Sequence, residues 1–581
     1  MHYSNLKNFN YTLMEILAII LTFIITGLIG YPLGKYISKV FKGEKTFLDF
    51  FAPVERFVFR VSGIDPKEEM NWKQSLKAML TINFIWFLWA MLILSCQNYL
   101  FGNPDNITFM FPSQAFNTAV SFVTNTNLQH YSGETGLSYL SQMVVICFLQ
   151  FVSAGTGIAV VAMLFKGLIN KSSDNLGNFY DLFLRSCTRI LLPLSFVIGL
   201  ILMFNSTPMT FKGAETIVTL QGDTVNVARG PVAAIVAIKQ LGTNGGGFFG
   251  PNSTHPFENP NYFTNFIEAI CILLIPIAMT FAFGFYTGRK KLAYSILGVM
   301  TVGFLCLAVP AIYSEMNGNP QIQSMGIDQP QGNMEGKEVR FGSAVSAYWG
   351  VATTCTSNGS VNSMHDSHMP ITGMMEMLGM QLNSFFGGVG VGFLNKFIFI
   401  VLAVFIAGLM VGRTPEFMGK KIEAREVKIA ILVALLHPLM ILTGTAIAAH
   451  IWIVTPNAGD VLKWLNNPSY HGFSEMFYEF TSSAANNGSG FEGLGDSAGD
   501  FWNITTGIVM LLSRFIPIIG PIAIAGFLSQ KKYIPESSGT MKIDSMIFAV
   551  VLFSTIVILG ALLFFPGLAL GPISEHLTMI K

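Results

Sequence analysis

Four short stretches at nearly even intervals constrain this chain more than any other feature. They are Val123-Thr-Asn-Thr-Asn-Leu-Gln129, Leu241-Gly-Thr-Asn-Gly-Gly-Gly-Phe248, Thr353-Thr-Cys-Thr-Ser-Asn-Gly-Ser-Val-Asn362 and Ala485-Asn-Asn-Gly-Ser-Gly-Phe491. Aligned on a shared asparagine, they put Asn125, Asn244, Asn358 and Asn487 in one column. Thr124, Thr243, Ser357 and Asn486 form the column before it, and Thr126, Gly245, Gly359 and Gly488 the column after. The asparagines stand 119, 114 and 129 residues apart, so each loop belongs to a unit of that size. Glycine allows the backbone to turn its carbonyls in directions other residues resist. Four strips of carbonyl and hydroxyl oxygen around one axis would replace the hydration shell of an alkali cation. A single Asn-Gly is more simply a surface turn. Four in the same hydropathic setting favour an ion filter.

That setting is a membrane. Only 12% of the 581 residues are charged, against about 25% in soluble proteins, and mean hydropathy is +0.53. Runs of about 20 apolar residues suffice to span a bilayer. Ten stand out, near 13–34, 76–98, 138–165, 187–204, 264–287, 292–313, 372–411, 428–453, 502–528 and 544–567. Each loop follows a run too short to span, at 113–123, 231–241, 343–353 and 474–484, as expected of re-entrant half-helices. The expected fold is therefore an all-α polytopic membrane protein with ten transmembrane helices. Four pseudo-repeats of helix, half-helix, filter loop and helix are flanked by one extra helix at each end. The units fall at 1–75 (extra helix and inner loop), 76–170, 171–290, 291–415 and 416–531 (four repeats), and 532–581 (final helix).

Lys and Arg fix the expected orientation. With the four loops outside, twenty-four lie on inner segments, eight on outer ones (Lys239 and Lys581 among them), and Lys396 and Arg514 within spans. Both termini are then outside. Thr216–Arg229 alternates apolar and polar residues around Gln221-Gly222-Asp223, the pattern of a hairpin. The inner segment 35–72 mixes Phe47–Phe51 and Phe57–Phe59 with charges, which suits a membrane surface and a partner equally.

Half-helices ending at the loops would turn their negative dipole ends toward a cation. Glu134, Glu258, Asp366, Glu492, Asp496 and Asp500 follow the loops and would form an acidic outer mouth, although each alone is more simply a solvated loop carboxylate. Gln129 stands where the first loop leaves the glycine pattern, as a ligand or a brace. Gly387, Gly388, Gly390 and Gly392 should break the seventh span at mid-membrane, as a gate below the filter or as a site of close helix packing. Lys396 and Arg514 are ionisable groups at membrane depth, functional or paired in the interior. The six cysteines are scattered without a CxxC pair and read as small core residues. The histidines show no metal-ligand spacing beyond His365/His368, where a solvated outer position is the simpler reading. No GxxxxGK[ST] loop, Asp-Lys-Thr-Gly motif or long soluble segment is present, so no ATP hydrolysis is expected of the chain itself.

Thr124-Asn-Thr-Asn-Leu-Gln-His-Tyr-Ser-Gly-Glu134, Leu241 to Phe249 with His255-Pro-Phe-Glu-Asn-Pro260, Gly387-Gly-Val-Gly390 and Gly412-Arg-Thr-Pro-Glu416 carry an end-to-end resemblance to the potassium-binding A subunits of Kdp potassium-transporting ATPases. The resemblance implies a four-repeat pore that transports K+ across the cell (inner) membrane without a covalent cofactor. It also implies partners: a P-type ATPase as the catalytic B subunit, and small C and F subunits. Its filter positions fall on Gln129, Gly245, Gly359 and Gly488. Asn358 stands where the family commonly has Cys, and Leu128 where Trp is common. The alternative, a self-contained Trk/Ktr-like potassium transporter, shares the four loops but not the extra first and last helices. A polytopic membrane enzyme would need polar catalytic groups at membrane depth.

Overall fold

In lipid an unpaired backbone amide has no water to turn to, so long apolar runs close their hydrogen bonds within a helix. The computed structural model describes residues 2–535 and 542–580 except Arg413 and Ala498. Arg413 of the Gly412–Glu416 motif and Lys581, both counted in the charge bias, lie outside the described residues. Among those described, nine helices are long and apolar enough to span: Leu13–Lys42, Trp72–Tyr99, Tyr139–Ile169, Phe179–Phe204, Tyr262–Thr287, Lys290–Ser324, Val391–Met410, Ala424–Val454 and Asp500–Gln530. Met546–Gly560 and Leu562–Met579, bent by 42°, make a tenth if counted as one span. The protein is a multi-pass membrane protein. Among the described residues two small sheets interrupt the helices: the expected hairpin, Glu215–Val218 with Thr224–Val227, and an unforeseen pairing of Glu416–Phe417 with Lys420–Lys421.

Several boundaries differ from the hydropathy reading. The fourth span begins at Phe179 rather than near 187 because Asp181 and Arg185, which interrupt the apolar run, pair with each other one turn apart at 2.9 Å. Asn71 and Asn261 start their spans with reciprocal caps to Gln74 and Thr264. The first helix lies along Tyr262–Thr287, where Gly30 and Gly34, four residues apart, admit Ile277 and Phe281 side chains to its backbone. Its Leu17, Ile20, Leu21, Ile24 and Leu28 face outward, as lipid-facing residues should. Between the first two spans, helix Ala52–Ser62 is pinned by Glu55 to Arg189, leaving Val54, Phe57 and Val61 exposed.

Four helices are too short to span a bilayer: Pro112–Val123, Val232–Leu241, Ser343–Cys355 and Tyr470–Ala485. Each ends at one of the polar loops. The long run 372–411 divides into Pro370–Leu382 and Val391–Val411. Asn383, at φ +42°, ends the first helix, and Gly387 and Gly390 hold φ of +66° and +78° between the two. Gly392 is a correction to the reading of four irregular glycines. It lies in the first turn of the second helix, packed against the Gly387 backbone, so it serves contact rather than the break.

Candidate functional site

Each short helix stops in the same way. The amide of Thr126 donates to Ser121 O, Asn244 to Lys239 O, Asn358 to Thr353 O and Asn487 to Ser482 O, all at 2.9 Å. On either side of these residues the backbone turns left-handed. Asn125, Thr243, Ser357 and Asn486 have φ of +62°, +43°, +48° and +52°, while Asn127, Gly245, Gly359 and Gly488 have +60°, +86°, +90° and +100°. This pattern corrects the sequence alignment by one residue in the first loop. Thr126, not Asn125, matches the asparagines 244, 358 and 487, and Asn127 matches the glycines. Matching by residue identity failed because the first loop holds asparagine at both left-handed positions, a conformation asparagine tolerates better than most residues. Asn127 is thus a site residue the sequence reading missed.

The loops touch in a closed order. A Cβ on Gly245 would strike Asn358 O, one on Gly359 Asn487 O, and one on Gly488 Thr126 O. The first and second loops meet through Asn125 Nδ2 donating to Thr243 O at 2.8 Å and Asn127 Nδ2 to Asn244 Oδ1 at 3.4 Å. Side-chain amides tie the circuit. Asn487 Nδ2 donates to Thr353 O (2.9 Å), Asn486 Nδ2 to Thr126 Oγ1 (2.9 Å) and Asn358 Nδ2 to Lys239 O (3.3 Å). Thr124 Oγ1 bonds Val120 O and Thr126 Oγ1 inside its own loop. These loop residues are buried except Gly488, which is half-buried.

Gln129 braces this circuit. Its Oε1 accepts from Gly247 N at 2.9 Å and its Nε2 donates to Gly247 O at 3.1 Å, so both ends of the amide are used on the second loop. Further braces come from polar residues within apolar helices, a signal available in the sequence but not used. Gln150 Nε2 reaches Gly246 O (2.7 Å) and Asn127 Oδ1 (3.0 Å), and Ser153 Oγ reaches Asn125 Oδ1 (2.9 Å).

The expected acidic mouth needs two corrections. Glu258 is fully buried, accepts from the amides of Phe248 and Phe249, and pairs with the equally buried Lys239. Lys239 in turn bonds Asn252 and Ser253, and Asn252 Nδ2 donates to Gly245 O at 2.7 Å. Glu258 and Lys239 therefore hold the second loop in place, because separating the two would leave each buried group without its main partner, at a high cost. Of the other carboxylates, Asp500 is exposed and Glu134 half-buried, while Asp496 closes on His130. Burial works against charge on His130, but the Asp496 and Glu479 carboxylates outweigh it and push the imidazole up to about 9. His365 and His368 are buried rather than solvated, facing Tyr478 and Glu376. Burial and Lys337 push His365 down to about 3.

Under the loops lies the break in the divided helix. Gly387 N donates to Cys355 O (2.9 Å) and Val389 N to Thr243 Oγ1 (2.8 Å), while Asn383 links Ser357 Oγ (2.9 Å) to Ala485 O (3.1 Å). Gly388 lies 3.4 Å, by its Cβ direction, from Thr356 O, and Gly390 backs onto Gly157 O. Lys396 is buried with Nζ 3.2 Å from Phe386 O of the break. Arg514 is buried near Gly157, with Nη2 lacking a hydrogen-bond partner. Neither cation is paired with a carboxylate among the described residues.

The fold and site define a class: a polytopic membrane protein that lowers four polar loops on short helices into its interior. The model of the potassium-transporting ATPase A subunits matches residues 20–577. The potassium-transporting ATPase potassium-binding subunit of Flavobacterium psychrophilum is 60% identical over 97% of this chain and 99% of its own. Its namesakes from Phocaeicola vulgatus and Geobacillus kaustophilus are 57% and 46% identical over 97% and 96% of this chain and 100% and 98% of theirs. A crystal structure of the potassium transporter TrkH from Vibrio parahaemolyticus aligns with a TM-score of 0.49 at 13% identity, covering 87% of this chain and 97% of that one. The chain belongs to the KdpA family, the A subunits of potassium-transporting ATPases.

Proposed function

We propose that this chain is the potassium-binding and translocating subunit of an ATP-driven uptake complex at the cell membrane. In this reading the four loops form its filter on the outer side. One observation carries it: the middle residue of each loop, Thr126, Asn244, Asn358 or Asn487, is drawn into the next loop's contacts through a left-handed position held by Asn127 or a glycine. A closed circuit of this kind gathers carbonyl oxygens around one point without a charged side chain, which suits a dehydrated monovalent cation. The dipoles of the short helices, ending at the loops, add negative potential. Both termini lie outside and the units form four pseudo-repeats, a reading supported by the Lys and Arg bias and by the shared helix-stop pattern. Beneath the filter, Gly387, Gly388 and Gly390 obstruct a straight path. Potassium is then diverted toward a P-type ATPase, the catalytic B subunit, with small C and F subunits completing the complex.

Copurification tests the reading. A tagged chain should bring down a large P-type ATPase whose hydrolysis rises with potassium. A chain that purifies alone and supports uptake alone would refute it.

A further inference from the structure

One cluster on the outer side is not used by the filter. His130 follows Gln129 at the end of the first loop, Glu479 lies on the short helix of the fourth, and Asp496 lies beyond that loop. Their donor atoms all fall within 4.8 Å of one another. His130 Nε2 is 3.1 Å from Glu479 Oε1 and 3.9 Å from Asp496 Oδ2. Donors around a tetrahedral zinc ion stand about 3.4 Å apart at bond lengths of about 2.0–2.1 Å, so small side-chain rotations would bring these three onto the ion and leave the fourth position to water.

Two independent features point to a ligand here. The other ring nitrogen, Nδ1, lies 2.8 Å from the Asn503 side-chain carbonyl, which can only accept, so Nδ1 carries a proton and Nε2 faces the two carboxylates. The Glu479 carboxylate is fully buried, yet its second oxygen, Oε2, has no hydrogen-bond partner and lies on the open, side-chain-free side of Gly490. A buried carboxylate oxygen left without a partner is costly. Asp496, whose side chain is 26% exposed, opens the cluster to the outside.

We propose that His130, Glu479 and Asp496 form an extracellular site for a divalent cation of the zinc class. One imidazole nitrogen and two carboxylates suit zinc and are a poor set for potassium, which takes neutral oxygens. Without the ion, a proton on Nε2 occupies the same place between the carboxylates. With the ion, the end of the first loop is clamped to the helix and outer loop of the fourth. The site's extracellular position rests on the orientation proposed above, whereas zinc binding is measured without potassium, so failure of the one is distinguishable from failure of the other.

The test titrates zinc chloride into the purified full-length chain in its native assembly, free of potassium, and follows binding calorimetrically. About one high-affinity zinc per chain is expected, weakened at least tenfold by Glu479→Gln and by Asp496→Asn. Because Asp496 is partly exposed, its variant keeps the fold if Glu479→Gln does not. The zinc absorption-edge spectrum should show one imidazole ligand that disappears in His130→Ala. Absence of high-affinity zinc, or unchanged affinity in Asp496→Asn, would overturn the proposal.

Discussion

Replacing Gly359 with alanine separates the two demands placed on that residue. Its φ of +90° is one that residues with a Cβ rarely adopt, at about 1–2 kcal/mol. The methyl group would also lie 2.9 Å from Asn487 C and 3.1 Å from Gly488 C, and closer still to Asn487 O. Ordinary contact begins near 3.4 Å, so the third and fourth loops must separate by at least about 0.5 Å. If 1.4 kcal/mol of this strain falls on the ion-bound state, potassium binds about tenfold more weakly. Gly222 supplies the control, because its φ is +93° with nothing within 4 Å of its Cβ direction. Uptake by a transport-deficient host should show the half-saturation for potassium raised about tenfold or more in Gly359→Ala and unmoved in Gly222→Ala. A Gly359→Ala half-saturation within about twofold of wild type would refute the argument that close approach of the loops shapes the filter.

Removing Gly387 to Gly390 should open the obstruction, giving passive potassium flux into vesicles without ATP and less potassium-stimulated hydrolysis; a folded deletion that conducts nothing and pumps normally would assign the glycines to packing. Glu258→Gln strands the Lys239 charge in a fully buried site and should cost about 3–5 kcal/mol, measured as a lowered thermal midpoint, with the double change Lys239→Met/Glu258→Gln milder. Burial opposes charge on His471, but hydrogen bonds to Asp366 and Glu575 prevail and hold it up at about 10, against an ordinary 6.5. A raised pKa stabilises the fold fully below pH 6.5 and ceases to do so as pH rises through about 10. The midpoint gap between wild type and His471→Gln should therefore be widest near pH 6 and close above pH 10, and a gap independent of pH would contradict this assignment.

By itself the sequence determined the membrane class, the short helices before the polar loops and the break in the long seventh run. These depend on local properties: apolar length against bilayer thickness, and clustered glycines that a helix holds poorly. The Kdp-type motifs determined the family for the same reason, being contiguous. Register within the first loop was beyond the sequence, because Asn125 and Asn127 are chemically identical and only the backbone angles distinguish the position equivalent to glycine. The role of Gln129 and the placement of Glu258 and Lys239 were also decided by tertiary structure. An amide 118 residues from its partner, or a lysine whose counter-ion lies 19 residues away on a folded-back loop, has no mark in its neighbours to distinguish a brace from a solvated side chain. His130, Glu479 and Asp496 meet only because the first and fourth loops close the circuit. The distance that makes them a cluster does not exist until the chain has folded.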